Sequence, residues 1–167
     1  MGYTLRMTWK RFLLNTLKTS ALLTAATVGS IMVASQRETG SPWSAINSVT
    51  HVIDGDEISQ PDDFSPRATT LGIVANTSAM VFWAAAFEGV LTLTKSRGNT
   101  ATGIAASVFA YIIDYHVVPK RLTPGIEKKL SGRAIFAVYA ALAAGFAAAS
   151  EWRDNGDTPD PEIAIHA

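Results

Sequence analysis

The sequence predicts an all-α integral membrane protein, a four-helix transmembrane bundle with a short interfacial helix in its first loop. Composition is the first observation, because 48% of the 167 residues are apolar and 17% are charged, against about 25% charged residues in an average soluble domain. The second is that the apolar residues form four long runs without a polar stripe. A helix that is apolar on all faces is buried in lipid or in protein.

The charge balance and the absence of cysteine exclude several function classes. Fourteen Lys and Arg residues balance fourteen Asp and Glu residues, so the net charge is zero at pH 7, and we expect no nucleic-acid partner. The chain has no cysteine, which excludes disulfide bonds, thiolate metal sites and a cysteine nucleophile. The partner that this composition predicts is the lipid bilayer.

Four apolar runs predict the membrane-spanning helices, which we place at residues 13–35, 70–93, 100–118 and 134–150. About 20 apolar residues cross a hydrocarbon core of about 30 Å. The first run carries Lys18 near its start, from where a long side chain can reach the interface. The alternative for this run is a cleaved signal peptide with its cleavage site at residues 33–35. The four runs predict a single membrane domain over residues 1–150.

The orientation of the chain leaves a second alternative open. With the N-terminus in the cytoplasm, the Lys and Arg residues divide equally between the two sides, seven against seven. The first helix usually decides the orientation, so we expect a cytoplasmic N-terminus. The basic loop 119–133 then lies outside, against the positive-inside rule. A re-entrant segment 100–118, which must be buried in protein, would return this loop to the cytoplasm.

Two features predict how the helices pack. Residues 94–99 allow only a tight turn, so the second and third helices are expected to be antiparallel neighbours. Small residues recur every four positions, and such faces allow close packing within the bundle, against a membrane partner or against a second copy. These residues are Ala21, Ala25 and Gly29 in the first helix, Thr102, Ala106 and Ala110 in the third, and Ala137, Ala141, Gly145 and Ala149 in the fourth.

The first loop contains the signals of a short helix over residues 42–54. Pro42 suits a first helical position and Gly55 suits a helix end. Trp43 begins an apolar stripe, as expected of a helix that lies at the membrane interface. A second face combines Asn47, His51 and Asp54. This face either contacts a partner or an ion, or is simply solvated, and the pattern favours the solvated face.

Three ionisable residues lie within the predicted spans, namely Glu88, Asp114 and His116. A charged side chain in the hydrocarbon is costly, so each is a candidate functional residue that needs a partner. Asp114 shares a face with the small residues of its helix, which directs it into the bundle. Asp114 and His116 are two positions apart and point about 200° apart on a helix, so the two cannot bind one ion on a regular helix.

The same region predicts a lipid contact and leaves a metal site as an open alternative. Lys120 and Arg121 follow Pro119, which ends the helix, and are expected to reach lipid phosphates. A His and carboxylate cluster suits zinc or another divalent ion. Such a cluster would combine either Asp114 or His116 with residues of the first loop. The candidate ligands there are His51, Asp54, Asp56 and Glu57.

Three stretches carry a resemblance to a known group of proteins. "SPWSAINSVTHVIDGDE", "VFWAAAFE" and "DYHVVPKRLTPG" lie between residues 40 and 150. Together they resemble a group of small bacterial inner-membrane proteins to which no activity is assigned. The resemblance implies the bacterial inner membrane and the four-span layout, and it assigns no catalytic residue. It does not cover the segment 151–167, which is acidic and predicted to be disordered.

No catalytic template is present, since the chain lacks G-x-S-x-G, H-E-x-x-H, a P-loop and G-x-G-x-x-G. The leading prediction is a non-enzymatic inner-membrane protein that acts as an accessory or interaction component of a membrane complex, with no cofactor. One alternative is a small transporter or proton- or ion-handling protein that uses Glu88, Asp114 and His116. The other is a membrane-embedded metal-dependent enzyme.

Overall fold

Four long helices dominate the computed structural model, which describes residues 9–55 and 60–156. The described residues form helices and no strand. The long helices are α1 at Trp9–Thr39, α4 at Pro66–Leu93, α5 at Thr100–Ile112 and α6 at Gly132–Gly156. Two short helices lie between α1 and α4, namely α2 at Ser44–Ser48 and α3 at His51–Asp54. Each long helix overlaps a predicted span, and α1 extends four residues beyond the prediction at both ends.

Three of these helices are long and apolar enough to cross a membrane: α1, α4 and the part of α6 over Gly132–Arg153. These three helices indicate a membrane-embedded protein. The predicted span 100–118 corresponds to α5 followed by a π-helical turn, Ile113–Val117. Val118 is extended, because a residue before proline is disfavoured in the helical conformation. The helix therefore ends before Pro119, as the sequence predicts.

The helix starts follow from local capping. Ser65 precedes α4 and its hydroxyl accepts a hydrogen bond from the Ala68 amide, with Pro66 in the first turn. Asn99 precedes α5 and forms a reciprocal capping box with Thr102. The connection between Leu93 and Thr100 is as short as predicted, but the expected pairing of α4 with α5 is only partly correct. The backbone of α5 packs most closely on α6. Its contact with α4 runs through large side chains such as Trp83 and Phe109, whose ring centroids are 6.1 Å apart.

Helix packing agrees with only part of the predicted small-residue faces. A methyl group added at Gly103 of α5 would lie 2.8 Å from the Ala147 backbone nitrogen of α6, so these two helices approach closely. Gly145 of α6 similarly contacts Leu23 of α1. The predicted face of α1 does not pack within the bundle, since Ala21, Ala25 and Gly29 are exposed. Its buried face instead carries Leu23 and a row of hydroxyl residues, Thr16, Thr19, Ser20, Thr27 and Ser35.

Residues 40–55, 60–65 and 118–131 form a cap at one end of the bundle. Ser48 Oγ donates a hydrogen bond to the Gly125 carbonyl (2.9 Å), and Lys129 pairs with Asp62 (2.7 Å). The start of α1, the 94–99 turn and the end of α6 lie at the opposite end, which we call the termini end. The basic loop thus lies beside the first loop, at the end of the bundle opposite the 94–99 turn.

Two other sequence predictions need correction. The single helix expected over residues 42–54 is broken at Val49 and Thr50 into α2 and α3, and α2 is buried instead of lying flat on the interface. The predicted helix end at Gly55, with φ 85°, is confirmed. The disordered tail was expected from residue 151, but α6 continues through residue 156. The remainder of the tail, residues 157–167, lies outside the described residues.

Candidate functional site

Asn47 is a buried residue of the cap whose hydrogen bonds connect several segments of the chain. Its side chain is fully buried and donates hydrogen bonds to the Pro61 and Asp63 carbonyls, both at 2.8 Å. Its amide oxygen accepts a hydrogen bond from Thr69 Oγ1 of α4 (2.8 Å). One side chain thus joins α2, the loop before α4 and α4 itself. The prediction of a solvated polar face is therefore wrong for Asn47, because residues distant in sequence cover it.

His51 is also buried, and it contacts the cap segment 118–131. Its Nδ1 lies 3.0 Å from the Ser48 carbonyl, so Nδ1 carries the proton and donates. Gly125 lies against the ring, since a methyl group there would be 2.5 Å from Nδ1. Among the described residues, Nε2 has no hydrogen-bond partner. His51 is accordingly a packing residue of the cap, and here too a solvated face is wrong.

Asp54 pairs with Arg67 at the start of α4. The carboxylate accepts two hydrogen bonds from the guanidinium, at 2.7 and 2.9 Å. These hydrogen bonds hold the pKa of Asp54 below its ordinary value of 3.8. The pair connects α3 to α4 across the residues 56–59 that the structure does not describe. Asp56 and Glu57, which were candidate metal ligands, lie in that segment.

Glu88 forms a buried salt bridge with Arg153 at the termini end. Its side chain is 2% exposed and accepts a hydrogen bond from Thr19 Oγ1 of α1 (2.9 Å). Arg153 Nη1 of α6 donates to the other carboxylate oxygen at 2.6 Å, and the Arg153 side chain is 13% exposed. Glu88 thereby connects three helices. Ser107 Oγ of α5 donates a hydrogen bond to the Tyr139 carbonyl of α6 at 2.6 Å, so it does not serve as a partner of Glu88.

Asp114 lies in the π-helical turn and borders a cavity of about 180 Å³ between α1, α4, α6 and the cap. Leu122, which is 57% exposed, also lines this cavity, so it reaches the surface of the protein. Tyr139 Oη donates a hydrogen bond to its carboxylate at 2.7 Å. Thr27 and Asn76, which are hydrogen-bonded to each other at 3.0 Å, line the cavity from α1 and α4. Thr123 of the cap also lines it. The cavity has room for several waters beside oxygen-bearing side chains, as a proton or small-cation site requires.

His116 lines a different pocket from Asp114, and His51 lines neither of these two pockets. It is exposed, its ring lies 5.6 Å from the Tyr111 ring, and it lines a wide apolar groove between α5 and α6. Asp114 instead faces the cavity described above, as the two-residue spacing predicts. Among residues 9–55 and 60–156, no three His, Asp or Glu side chains lie close enough to hold a metal ion.

Lys120 and Arg121 are exposed and occupy a 3-10 turn, Lys120–Leu122, directly after Pro119. This position on the surface of the cap fits contact with lipid headgroups, which stays a prediction. Sequence reasoning missed four residues that complete the sites above. They are Thr19, Asn76, Tyr139 and Arg153.

One signal pointed to Arg153, since it is the only cation in residues 134–156, beside an apolar helix. The other three are polar residues inside apolar runs.

Comparison of the chain with protein-family models, with curated proteins and with solved structures finds no match.

Proposed function

We propose that this chain is a non-enzymatic protein of the bacterial inner membrane, with four spans and both the termini end and the 94–99 turn in the cytoplasm. In this proposal it is an interaction component of a membrane complex. The partner is the extramembrane part of another membrane protein, and the cap is the surface that it binds. The orientation follows from the dominance of the first helix and its basic start.

The observation that carries the proposal is a fixed cap with exposed apolar side chains. Polar groups of the cap pair with one another over long sequence separations, as Ser48 does with Gly125 and Lys129 with Asp62. Large apolar side chains on its surface are more than half exposed, notably Phe64 at 60% and Leu122 at 57%. Exposed apolar groups rimmed by polar ones are typical of protein interaction surfaces.

Photocrosslinking tests this proposal. A photoreactive amino acid at Phe64 or Leu122 is expected to give a protein adduct of one defined mass. The same probe at Phe136, which is 76% exposed on the long helix α6, is the matched control and is expected to give lipid adducts. Loss of the chain from the cell should lower the abundance of the captured partner. Lipid adducts alone from all three positions would contradict the proposal.

The Asp114 cavity favours a second candidate, a proton- or small-cation-handling protein. Asp114 is the carboxyl group that borders this cavity, and a carboxyl within a span is by default a functional candidate. In this proposal Asp114 binds the transported ion and Tyr139 orients its carboxylate. Glu88 and His116 take no part, because Glu88 lies at the termini end and His116 faces the groove. No observation on the described residues favours a metal-dependent enzyme.

Flux measurements separate the two candidates. Reconstituted in vesicles, an ion-handling protein should dissipate a pH or cation gradient, and Asp114→Asn should abolish this flux. Asp63→Asn, an exposed acid of the cap whose backbone carbonyl and not its side chain contacts Asn47, is the control that should retain it. If the chain is an interaction component, Asp114→Asn should leave the abundance of the crosslinked partner unchanged. A flux equal in wild type, Asp114→Asn and empty vesicles would eliminate the second candidate.

A further inference from the structure

A second polar pocket lies at the termini end, far from the cap and the Asp114 cavity. It has a volume of about 190 Å³ and lies between α1, the end of α4 and the end of α6. Arg11, Lys18 and Arg153 line it together with Glu88 as its carboxylate. Glu88 pairs with Arg153, and Arg11 and Lys18 add two further cationic side chains to the lining.

Two of the three cations of this pocket, Arg153 and Lys18, are held in place by other side chains. Glu88 accepts a hydrogen bond from Arg153 at 2.6 Å, which fixes the guanidinium at the pocket wall. The Lys18 ammonium lies 5.5 Å from the centroid of the Trp152 ring, a cation–π contact. Asn15 also lines the pocket and adds an uncharged polar side chain to it. Cations held in this way bind an anion with less loss of side-chain entropy.

The side chains that line the pocket indicate which class of anion fits it. A guanidinium and an ammonium around one space match a phosphate group, which accepts several charge-assisted hydrogen bonds. The pocket also has apolar walls, formed by Leu14, Leu22 and Trp152, and Leu14 is 55% exposed on the outer surface of α1. An anion with an attached apolar chain can therefore place its charge in the pocket and its chain along α1.

We propose that the pocket at the termini end is a phosphate-binding site, in which Arg11 and Lys18 contact the phosphate and Arg153 completes the site. The phosphate belongs either to an anionic phospholipid headgroup or to a free phosphate compound. Glu88 serves the site indirectly, because it orients Arg153. This role is separate from the cap and from Asp114, so it holds or fails independently of the proposed function.

Binding of dioleoylphosphatidylglycerol to the full chain in detergent, followed by native mass spectrometry, tests the proposal. Each Lys or Arg near an anionic headgroup contributes about 1 kcal/mol, or about fivefold in affinity. The double variant Arg11→Gln with Lys18→Gln should therefore weaken binding about 25-fold. Lys10→Gln with Arg97→Gln, two exposed cations that do not line the pocket, is the matched control and should retain most of the affinity. Circular dichroism checks that both fold.

Two further probes identify the phosphate and its source. Arg11→Lys with Lys18→Arg keeps both charges and should retain binding. Dioleoylglycerol, which lacks the phosphate, should not displace the phospholipid. Displacement by millimolar inorganic phosphate would assign the site to a free phosphate compound, and its failure would assign it to the lipid headgroup. Equal losses in the pocket and control variants, or displacement by dioleoylglycerol, would overturn the proposal.

Discussion

Replacement of Glu88 by Gln is the sharpest test of how the bundle is held together. The change keeps the size of the side chain and removes its charge. Glu88 is 2% exposed and Arg153 13% exposed, so the pair is largely shielded from water. Breaking a buried pair by removing one partner costs about 3 to 5 kcal/mol, whereas an exposed pair contributes about 0 to 1 kcal/mol.

The expected loss lies near the lower end of the buried range. The pocket of about 190 Å³ beside the pair admits water, which partly solvates the remaining guanidinium. Thr19 can still donate a hydrogen bond to the amide oxygen of a glutamine at position 88. We therefore expect a loss of about 3 kcal/mol, which corresponds to a Tm lower by about 6 to 12 °C for a chain of this length.

Thermal unfolding of the purified protein in detergent, followed by circular dichroism, measures this loss. Glu151→Gln removes an exposed carboxylate from the same end of the bundle and is expected to change stability by less than about 0.5 kcal/mol. The double variant Glu88→Gln with Arg153→Gln should regain part of the loss, because the buried charge is removed as well. Equal Tm values for Glu88→Gln and Glu151→Gln would refute the reasoning.

Two further predictions concern the cap. Gly125→Ala should destabilise the protein by about 2 kcal/mol in unfolding experiments, because φ at Gly125 is +80° and the new methyl group would meet His51. Gly29→Ala is the control, because a methyl group at position 29 meets no other atom, and it should be neutral or stabilising. Hydrogen bonds to Arg67 lower the pKa of Asp54 in the folded protein. The ionised Asp54 carboxylate therefore stabilises the fold above about pH 4, and this stabilisation is lost as the pH falls further. Thermal unfolding between pH 6 and 2.5 measures this loss, and Asp54→Asn should have a smaller pH dependence; an unchanged dependence would contradict the assignment.

The helices could be predicted from the sequence because their signals are local. Apolar runs locate α4 and α6, and Pro119 and Gly55 mark helix ends that the structure confirms. The length of α1 was underestimated for a physical reason. Charged residues such as Lys10 and Arg37 end an apolar run but not a helix, and α1 continues as a helix beyond them.

The sites could be predicted only in part, because they depend on which helix faces meet. Glu88 was recognised as a candidate, but its partners are 69 and 65 residues away, on helices whose rotation no spacing rule fixes. Asn47 and His51 formed a polar face that looked solvated. The loop around Gly125 covers His51, and nothing in the local pattern of either segment indicates that contact.

In the proposed topology, α5 crosses the membrane and the two loops of the cap lie on one side of it. The absence of native cysteine allows single cysteines to be labelled with a membrane-impermeant reagent in intact cells and in inverted vesicles. Phe64→Cys and Lys128→Cys should both react in intact cells, and Ser96→Cys should react only in inverted vesicles. Labelling of Lys128→Cys from the same side as Ser96→Cys would contradict the account.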